Sequence, residues 1–325
     1  MTLKRIAITG SSGFYGRGVV QAIRRRFPEA TILGLDITPP LTDEPDEFVQ
    51  CDVLSEQLRQ HLTAFGPDTV IHLAFVVNPM RDECRMHRIN VEGTRNLLQA
   101  VSEIAPARLL VSSSATAYGG WPDNPLPMAE SWQLRARTEY RYAEDKVLVE
   151  ALLEDFAESH QEIAVSWTRP CIIYGPEISN YLTDFIKHGP IIVLPGGNNT
   201  EMQFVHLEDV SEATVTILEQ NGQGPFNVAP GDWLTLRDLA RLSNRVCVSV
   251  PLVVCRAFTN CWWALRLPLY RFPSGLWYFI RYRWVISPSR LESELKFEFR
   301  RSSLETARLL LADAGKLSSA SQPTH

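Results

Sequence analysis

The chain has 325 residues and a mass of 36.7 kDa, room for one large α/β domain or two modest ones. Apolar residues make up 45% and charged residues 21%, which excludes collagen-like, disordered and small disulfide-stapled classes. A net charge of -5 removes any electrostatic case for a nucleic-acid partner.

In chain order, short β-branched runs alternate with helical stretches. Residues 6–9 form the first predicted strand, followed by a glycine-rich turn and a helix over about 13–27. Strands at 31–36, just before Cys51, and at 68–73 come next, then a long helix over about 79–104. A strand at 107–112, a helix at 140–159 and a strand at 162–167 complete the series. Apolar strands alternating with helices predict an α/β fold, a doubly wound parallel sheet covered on both faces. After Arg169-Pro170 the rhythm breaks, with a loop at 194–199 and a Trp- and Arg-rich stretch over 246–286. Its arginines (Arg256, Arg266, Arg271 and Arg281) interrupt every apolar run before the roughly 18 residues a spanning helix needs. That stretch is expected to be a helical cap on the sheet edge, a lid over an apolar alcohol, or a membrane-surface patch with snorkelling arginines. From about Lys316 the chain is polar.

The first residues pass directly into a strand without the apolar segment of a signal peptide, so a cytoplasmic protein is expected. Six cysteines stand singly, with no C-x-x-C pair and no histidine cluster. Reduced thiols and no metal site are expected.

Gly10, Gly13 and Gly16 lie between the first strand and the first helix. Glycines there allow a tight turn and close backbone approach to a pyrophosphate at the helix amino end. Asp36 ends the second strand, twenty residues after Gly16. A carboxylate there accepts from both ribose hydroxyls of NAD and repels the 2′-phosphate of NADP, so NAD is the expected cofactor. Asp52 reads two ways, as a contact to an adenine amino group or as the N-cap of a following helix.

The strand at 107–112 runs into Ser112-Ser113-Ser114, and downstream Tyr142 and Lys146 stand four apart on one helix face. Lys146 is one of only five lysines in the chain, so this spacing carries weight. A tyrosine with a pKa near 10 is too weak a base at neutral pH. An ammonium about 4 Å away, at an effective dielectric near 20, favours the phenolate by about 4 kcal/mol, or three pKa units. Ser114 is placed to hydrogen-bond a substrate oxygen, and Tyr142 to take its proton.

Together these stretches resemble the extended short-chain dehydrogenase/reductases of the NAD-dependent epimerase/dehydratase family, UDP-glucose 4-epimerases among them. The matching segments include Thr9-Gly-Ser-Ser-Gly-Phe-Tyr-Gly16, Asn90-Val-Glu-Gly-Thr94, Ser112 to Gly119, Tyr142 to Lys146, Tyr174-Gly-Pro176 and Phe204-Val-His206. The resemblance implies a Rossmann domain over 1–169, with 204–229 returning to it. It further implies a smaller, mostly helical substrate-binding region over 170–203 and 230–315, followed by a polar tail over 316–325. It implies that Gly10, Gly13 and Gly16, with the backbone of Phe14 and Tyr15, hold the pyrophosphate. Asp36 then holds the adenosine ribose, Asp52 and Val53 the adenine, and Leu73 and Ala74 the nicotinamide side. Tyr142 becomes the acid/base and Lys146 its tuning cation and ribose ligand. Ser114 orients the substrate oxygen, and Asn90 supports the site. A homodimer through two long helices, one of them the Tyr142 helix, follows from the same resemblance.

Two positions depart from the nucleotide-sugar enzymes of that family. Ile172 stands where they usually carry Asn, and Met202 where an arginine tends to grip a diphosphate. Arg237, Arg241 or an arginine of the Trp-rich stretch is then the expected replacement. Ala115 and Thr116 replace the Asp-Glu pair of the dehydratases, which argues against dehydration. The leading expectation is hydride-transfer epimerisation at a secondary alcohol of a sugar or nucleotide sugar. The alternative is an NAD-dependent dehydrogenase or reductase of a hydrophobic alcohol or ketone. A third class is a non-catalytic NAD-binding sensor, against which the intact Ser/Tyr/Lys set stands.

Overall fold

The computed structural model describes residues 3–176, 178, 183, 186–187, 189–265 and 273–315. Predictions falling on 266–272 and on the tail over 316–325 lie outside the described residues. Six parallel strands, β1 (Arg5–Thr9), β2 (Thr31–Asp36), β3 (Glu47–Gln50), β4 (Thr69–His72), β5 (Arg108–Ser112) and β6 (Ala164–Pro170), are joined at the far edge by Gly224–Val228. The spatial order is Gly224–Val228, β6, β5, β4, β1, β2, β3. It reverses between β1 and β4, where Ile6 to Thr9 pair with Thr69 to His72. Ligands of open α/β sheets bind beyond the carboxyl ends of the strands at such a reversal.

Alternation along the strands divides the core into two layers. Ile6 and Ile8 face one layer and Ala7 the other; Leu110 faces the first, Leu109 and Val111 the second. Helix α1 (Phe14–Arg26) packs on the first layer with Leu207–Glu219, joined by Tyr15 Oη to Thr214 Oγ1 at 2.5 Å and Arg25 to Glu212 at 2.8 Å. Helices α2 (Gln57–Phe65), α4 (Gly93–Ile104) and α5 (Arg141–Ser159) cover the second layer through Leu58, Leu97, Val101, Val149 and Leu153.

The helix predicted over 79–104 starts later and is not continuous. Asp82 accepts from the Arg85 backbone N–H at 2.9 Å and so begins α3 (Glu83–His87). A π turn, Arg88–Glu92, follows before α4. The last predicted strand also shifts, from 162–167 to Ala164–Pro170, because it pairs with β5 on one side and Gly224–Val228 on the other.

Beyond β6, Ile172–Tyr174 pairs with Phe204–His206, and Ile192–Pro195 pairs with Cys247–Val250. The Trp- and Arg-rich stretch therefore contains a strand as well as the helices Leu252–Ala264 and Leu276–Arg281. No helix among the described residues is long and apolar enough to cross a membrane.

Candidate active site

The turn after β1 is shaped by what it cannot carry. Gly10 has a φ of +75°, and a Cβ on it would lie 2.6 Å from the Ala74 backbone nitrogen. A Cβ on Gly16 would collide with the Gly10 carbonyl oxygen. The loop therefore lies flat against Leu73-Ala74 at the end of β4. Gly13 is the N-cap of α1; no side chain caps that end and no acidic residue occupies its first turn. Ser11 and Ser12 bury hydroxyls that lack a hydrogen-bond partner. Half-buried Asp36 accepts from the Ser12 N–H and the Thr38 N–H, each at 3.0 Å, which fixes its carboxylate beside the loop. An open helix terminus, two unpartnered hydroxyls and a carboxylate at the tip of β2 fit a dinucleotide's diphosphate and ribose.

The predicted adenine contacts sit differently. Asp52 is exposed and accepts from the Leu54 N–H at 2.9 Å in a local turn. It caps no helix, since α2 starts at Gln57 with Glu56 as its N-cap. Val53 is buried against Gly93, and Asn96 holds its carbonyl at 2.7 Å.

Ser114, Tyr142 and Lys146 come together on a cavity of about 480 Å³ that the glycine loop and Leu73 also line. Ser114 caps the 3-10 turn Ala115–Tyr118; its Oγ accepts from Thr116 N–H at 3.2 Å and from Thr116 Oγ1 at 2.9 Å. Lys146 is fully buried; its Nζ donates to the Ser112 carbonyl at 2.6 Å and lies 3.0 Å from the Phe75 ring centre and 5.5 Å from that of Tyr142. Burial pulls the Lys146 pKa well below the usual lysine value, while Glu150 and Asp145 pull it up. Tyr140 caps α5 and is buried, edge-on to Phe279 at 5.6 Å, and does not line this cavity.

Asn90, the support the resemblance implies, is joined by others that were not assigned from the sequence. Asn90, on the π turn, accepts from the Val76 N–H at 2.8 Å and donates to Asp145 at 3.2 Å. It thereby ties the Phe75-Val76 loop to α5, a use of a π turn common at functional sites. Glu150, one turn after Lys146, is fully buried and accepts from Trp167 Nε1 at 2.7 Å, from Arg169 and from Ser113 Oγ. Arg169 also donates to Tyr118 Oη at 2.7 Å, and Tyr118 in turn to Asn227 at 2.9 Å.

His72 ends β4 inside the core. Thr94 donates its own proton to the Asn90 carbonyl at 2.6 Å, so His72 Nε2 is the donor to Thr94 at 3.2 Å and His72 Nδ1 accepts from Thr9 at 2.6 Å. Burial, then the Lys146 charge, lowers the His72 pKa to about 3. The folded state thus binds fewer protons than the unfolded chain below the unperturbed value near 6.5, and stability is lost as pH falls toward 3. Urea unfolding midpoints of a His72→Gln variant should fall less steeply between pH 6.5 and 4 than those of the parent. The difference is about one proton, or about 1.4 kcal/mol per pH unit; identical slopes would contradict the assigned neutral state.

Arg237 and Arg241, expected to replace a diphosphate-gripping arginine, line a separate shallow pocket with Arg245 instead. Arg281 donates to the Pro195 carbonyl at 2.8 Å and Arg283 lies 3.7 Å from Glu201. Among the described residues lining the catalytic cavity, Lys146 is the only charged one.

The sheet order and the glycine turn define a dinucleotide-binding α/β protein. The chain belongs to the NAD dependent epimerase/dehydratase family, whose model matches residues 6–229, and its cofactor is NAD. It is similar to UDP-glucose 4-epimerase of Thermotoga maritima, solved with UDP-glucose, at 19% identity and a TM-score of 0.74, covering 95% of this chain and 97% of that one. The NAD complex of the Thermus thermophilus UDP-glucose 4-epimerase gives 21% identity and a TM-score of 0.73, over 96% and 99%. In sequence it is 24% identical to an uncharacterized Sinorhizobium fredii protein, over 74% of this chain and 60% of that relative. It is 26% identical to UDP-glucuronic acid decarboxylase 1 of Arabidopsis thaliana, over 74% and 58%. The chain thus spans about 60% of the length of these two relatives.

Proposed function

We propose that the chain is a cytoplasmic epimerase that moves hydride at a secondary alcohol of a nucleotide sugar. The observation that carries this reading is the convergence of Ser114, Tyr142 and Lys146 with the glycine loop on one cavity. Bound NAD supplies the hydride acceptor and, on return, the donor. The Tyr142 phenolic oxygen takes the hydroxyl proton and gives it back. Ser114 Oγ already accepts twice from Thr116, so its own proton is left to donate to the substrate oxygen. A Lys146 ammonium on the same cavity, its Nζ 5.5 Å from the Tyr142 ring centre, favours the phenolate over the phenol. Glu150 and then Asp145 favour that ammonium and oppose, without cancelling, the effect of its burial.

The test is a panel of UDP-glucose, UDP-N-acetylglucosamine and UDP-glucuronic acid, with chromatography for the C4 epimer and mass spectrometry of nucleotides released on denaturation. Epimer formed by a protein that retains NAD or NADH is the expected result. Failure on all three sugars, with NADH appearing on hydrophobic alcohols, selects the second reading. That reading is a dehydrogenase or reductase of an apolar alcohol or ketone, and Ile172, Ile173, Ile178 and Trp284 on the cavity wall favour it. A homodimer through α4 and α5 belongs to both readings; Leu148 on α5 is 44% exposed and would be covered. A monomer mass by light scattering would sink it.

A further inference from the structure

The helix Leu252–Ala264 is apolar on the side it turns to water. Its inner face is fixed by Cys255 and Thr259, both buried, with Thr259 Oγ1 accepting from Trp277 Nε1 at 2.7 Å. Arg256, on the same side, donates to Tyr278 Oη at 2.5 Å. At about 100° per residue, Val254, Ala257, Phe258, Cys261 and Leu265 form one stripe on the opposite side. All five are exposed, Val254 by 51%, Phe258 by 58% and Leu265 by 69%. A helix apolar on both faces is stable in water only when the second face is also covered.

The chain leading into this helix is basic. Arg237, Arg241 and Arg245 line one pocket of about 340 Å³ with Asn244 and Cys247. Arg241 is 80% exposed, with Asp238 at 3.4 Å as its acidic neighbour. From Arg245 the chain runs through exposed Val246 and the strand Cys247–Val250 directly into the apolar helix. Between Asp238 and Glu292 it carries eight arginines and no acidic residue, although the net charge of the whole chain is -5. Arg256, Arg283 and Arg290 of this set face Glu139 at 3.6 Å, Glu201 at 3.7 Å and Glu294 at 2.9 Å, so the exposed basic groups ahead of the stripe are Arg237 and Arg241.

We propose that this face docks on an anionic lipid surface. The stripe of Val254, Phe258 and Leu265 enters the boundary between headgroups and acyl chains, and the Arg237/Arg241/Arg245 pocket takes lipid phosphate. An anionic bilayer answers both the stripe and the charge. The docking is independent of which alcohol the active site takes.

Vesicle flotation of the full chain tests it, with phosphatidylcholine vesicles that contain or lack phosphatidylglycerol. The protein should float with the anionic vesicles and bind at least about tenfold less to phosphatidylcholine alone, or at high salt. The double substitution V254D/F258D should abolish flotation, and R237Q/R241Q should weaken it about tenfold or more. Both pairs are on the surface, and unchanged NAD content of each variant reports an intact fold. Three results overturn the proposal. One is no flotation of the parent chain; another is equal binding to both vesicle types. The third is a change in oligomer mass caused by V254D/F258D without lipid, which would assign the stripe to a second copy.

Discussion

Replacing Tyr142 with phenylalanine should lower turnover about 10²- to 10⁴-fold while leaving NAD content unchanged, the span that general acid–base catalysis supplies. The substitution removes one oxygen and keeps the ring, which packs 5.8 Å from Tyr140. It also leaves Lys146 on the Ser112 carbonyl. Binding should therefore change little and kcat should carry the loss. Ser114→Ala removes a hydrogen-bond donor rather than a base, and a smaller loss of about 10²- to 10³-fold is expected. The two variants also differ in pH behaviour. The S114A profile should keep the limb set by the Tyr142–Lys146 pair, whereas Y142F should lose it. Steady-state kinetics on the substrate identified by the sugar and alcohol panels, alongside mass spectrometry of bound nucleotide, makes the measurement. A Y142F turnover within a factor of two of the parent would remove Tyr142 from the chemistry.

The parts of the fold that could be read beforehand are those whose signal is local. The strand at 31–36 has an apolar middle, Ile32 to Leu35, closed by Asp36, and it is found as Thr31–Asp36. The glycine turn was legible because the strand before it and the crowding of Gly16 on Gly10 lie within a dozen residues, although Gly10 itself is pressed against Leu73-Ala74 far along the chain. The π turn at Arg88–Glu92 was not, because Asn90 is drawn inward by Val76 and Asp145, one before it in sequence and one 55 residues beyond. The strand Cys247–Val250 was hidden for the same reason. It leaves Val248 and Ser249 exposed, and its partner Ile192–Pro195 lies far back in the chain.

The site shows the same division. A serine-ended strand and a Tyr/Lys pair one helical turn apart can be recognised by spacing alone. Glu150 could not, since a carboxylate on a helix usually faces water. Its burial follows from Trp167 and Arg169, which β6 brings to it only when the sheet is assembled. The exposed face of Leu252–Ala264 was ambiguous for a related reason: an apolar run of that length reads the same whether it is covered by the protein or open to its surroundings.

That Glu150–Arg169 pair should also be the most expensive contact to break. The two residues lie at 0% and 2% exposure, with Arg169 Nε 2.9 Å and Nη2 2.5 Å from Glu150 Oε2. Burial lowers the Arg169 pKa, but Glu150 and then Tyr118 more than reverse that, so the guanidinium stays charged. Glu150→Leu leaves that cation without its counter-ion and strands the Ser113 hydroxyl and the Trp167 N–H, a loss of about 3–5 kcal/mol. Arg169→Leu leaves the buried carboxylate without its counter-ion, while Tyr118 keeps its donation to Asn227. The double variant removes both charges together and should be less destabilised than the two single effects summed, by about 1–3 kcal/mol. Thermal or urea midpoints of the four proteins close the cycle. Single losses below about 1 kcal/mol that add without coupling would show that the pair holds nothing. The consequence for activity follows from position. Ser113 sits between the Ser112 carbonyl that holds Lys146 and the Ser114 hydroxyl that faces the cavity, and Glu150 is its anchor. The double variant, even where it folds, should therefore turn over substrate about tenfold or more slowly, because a strand end freed by about 1 Å misplaces both groups at once.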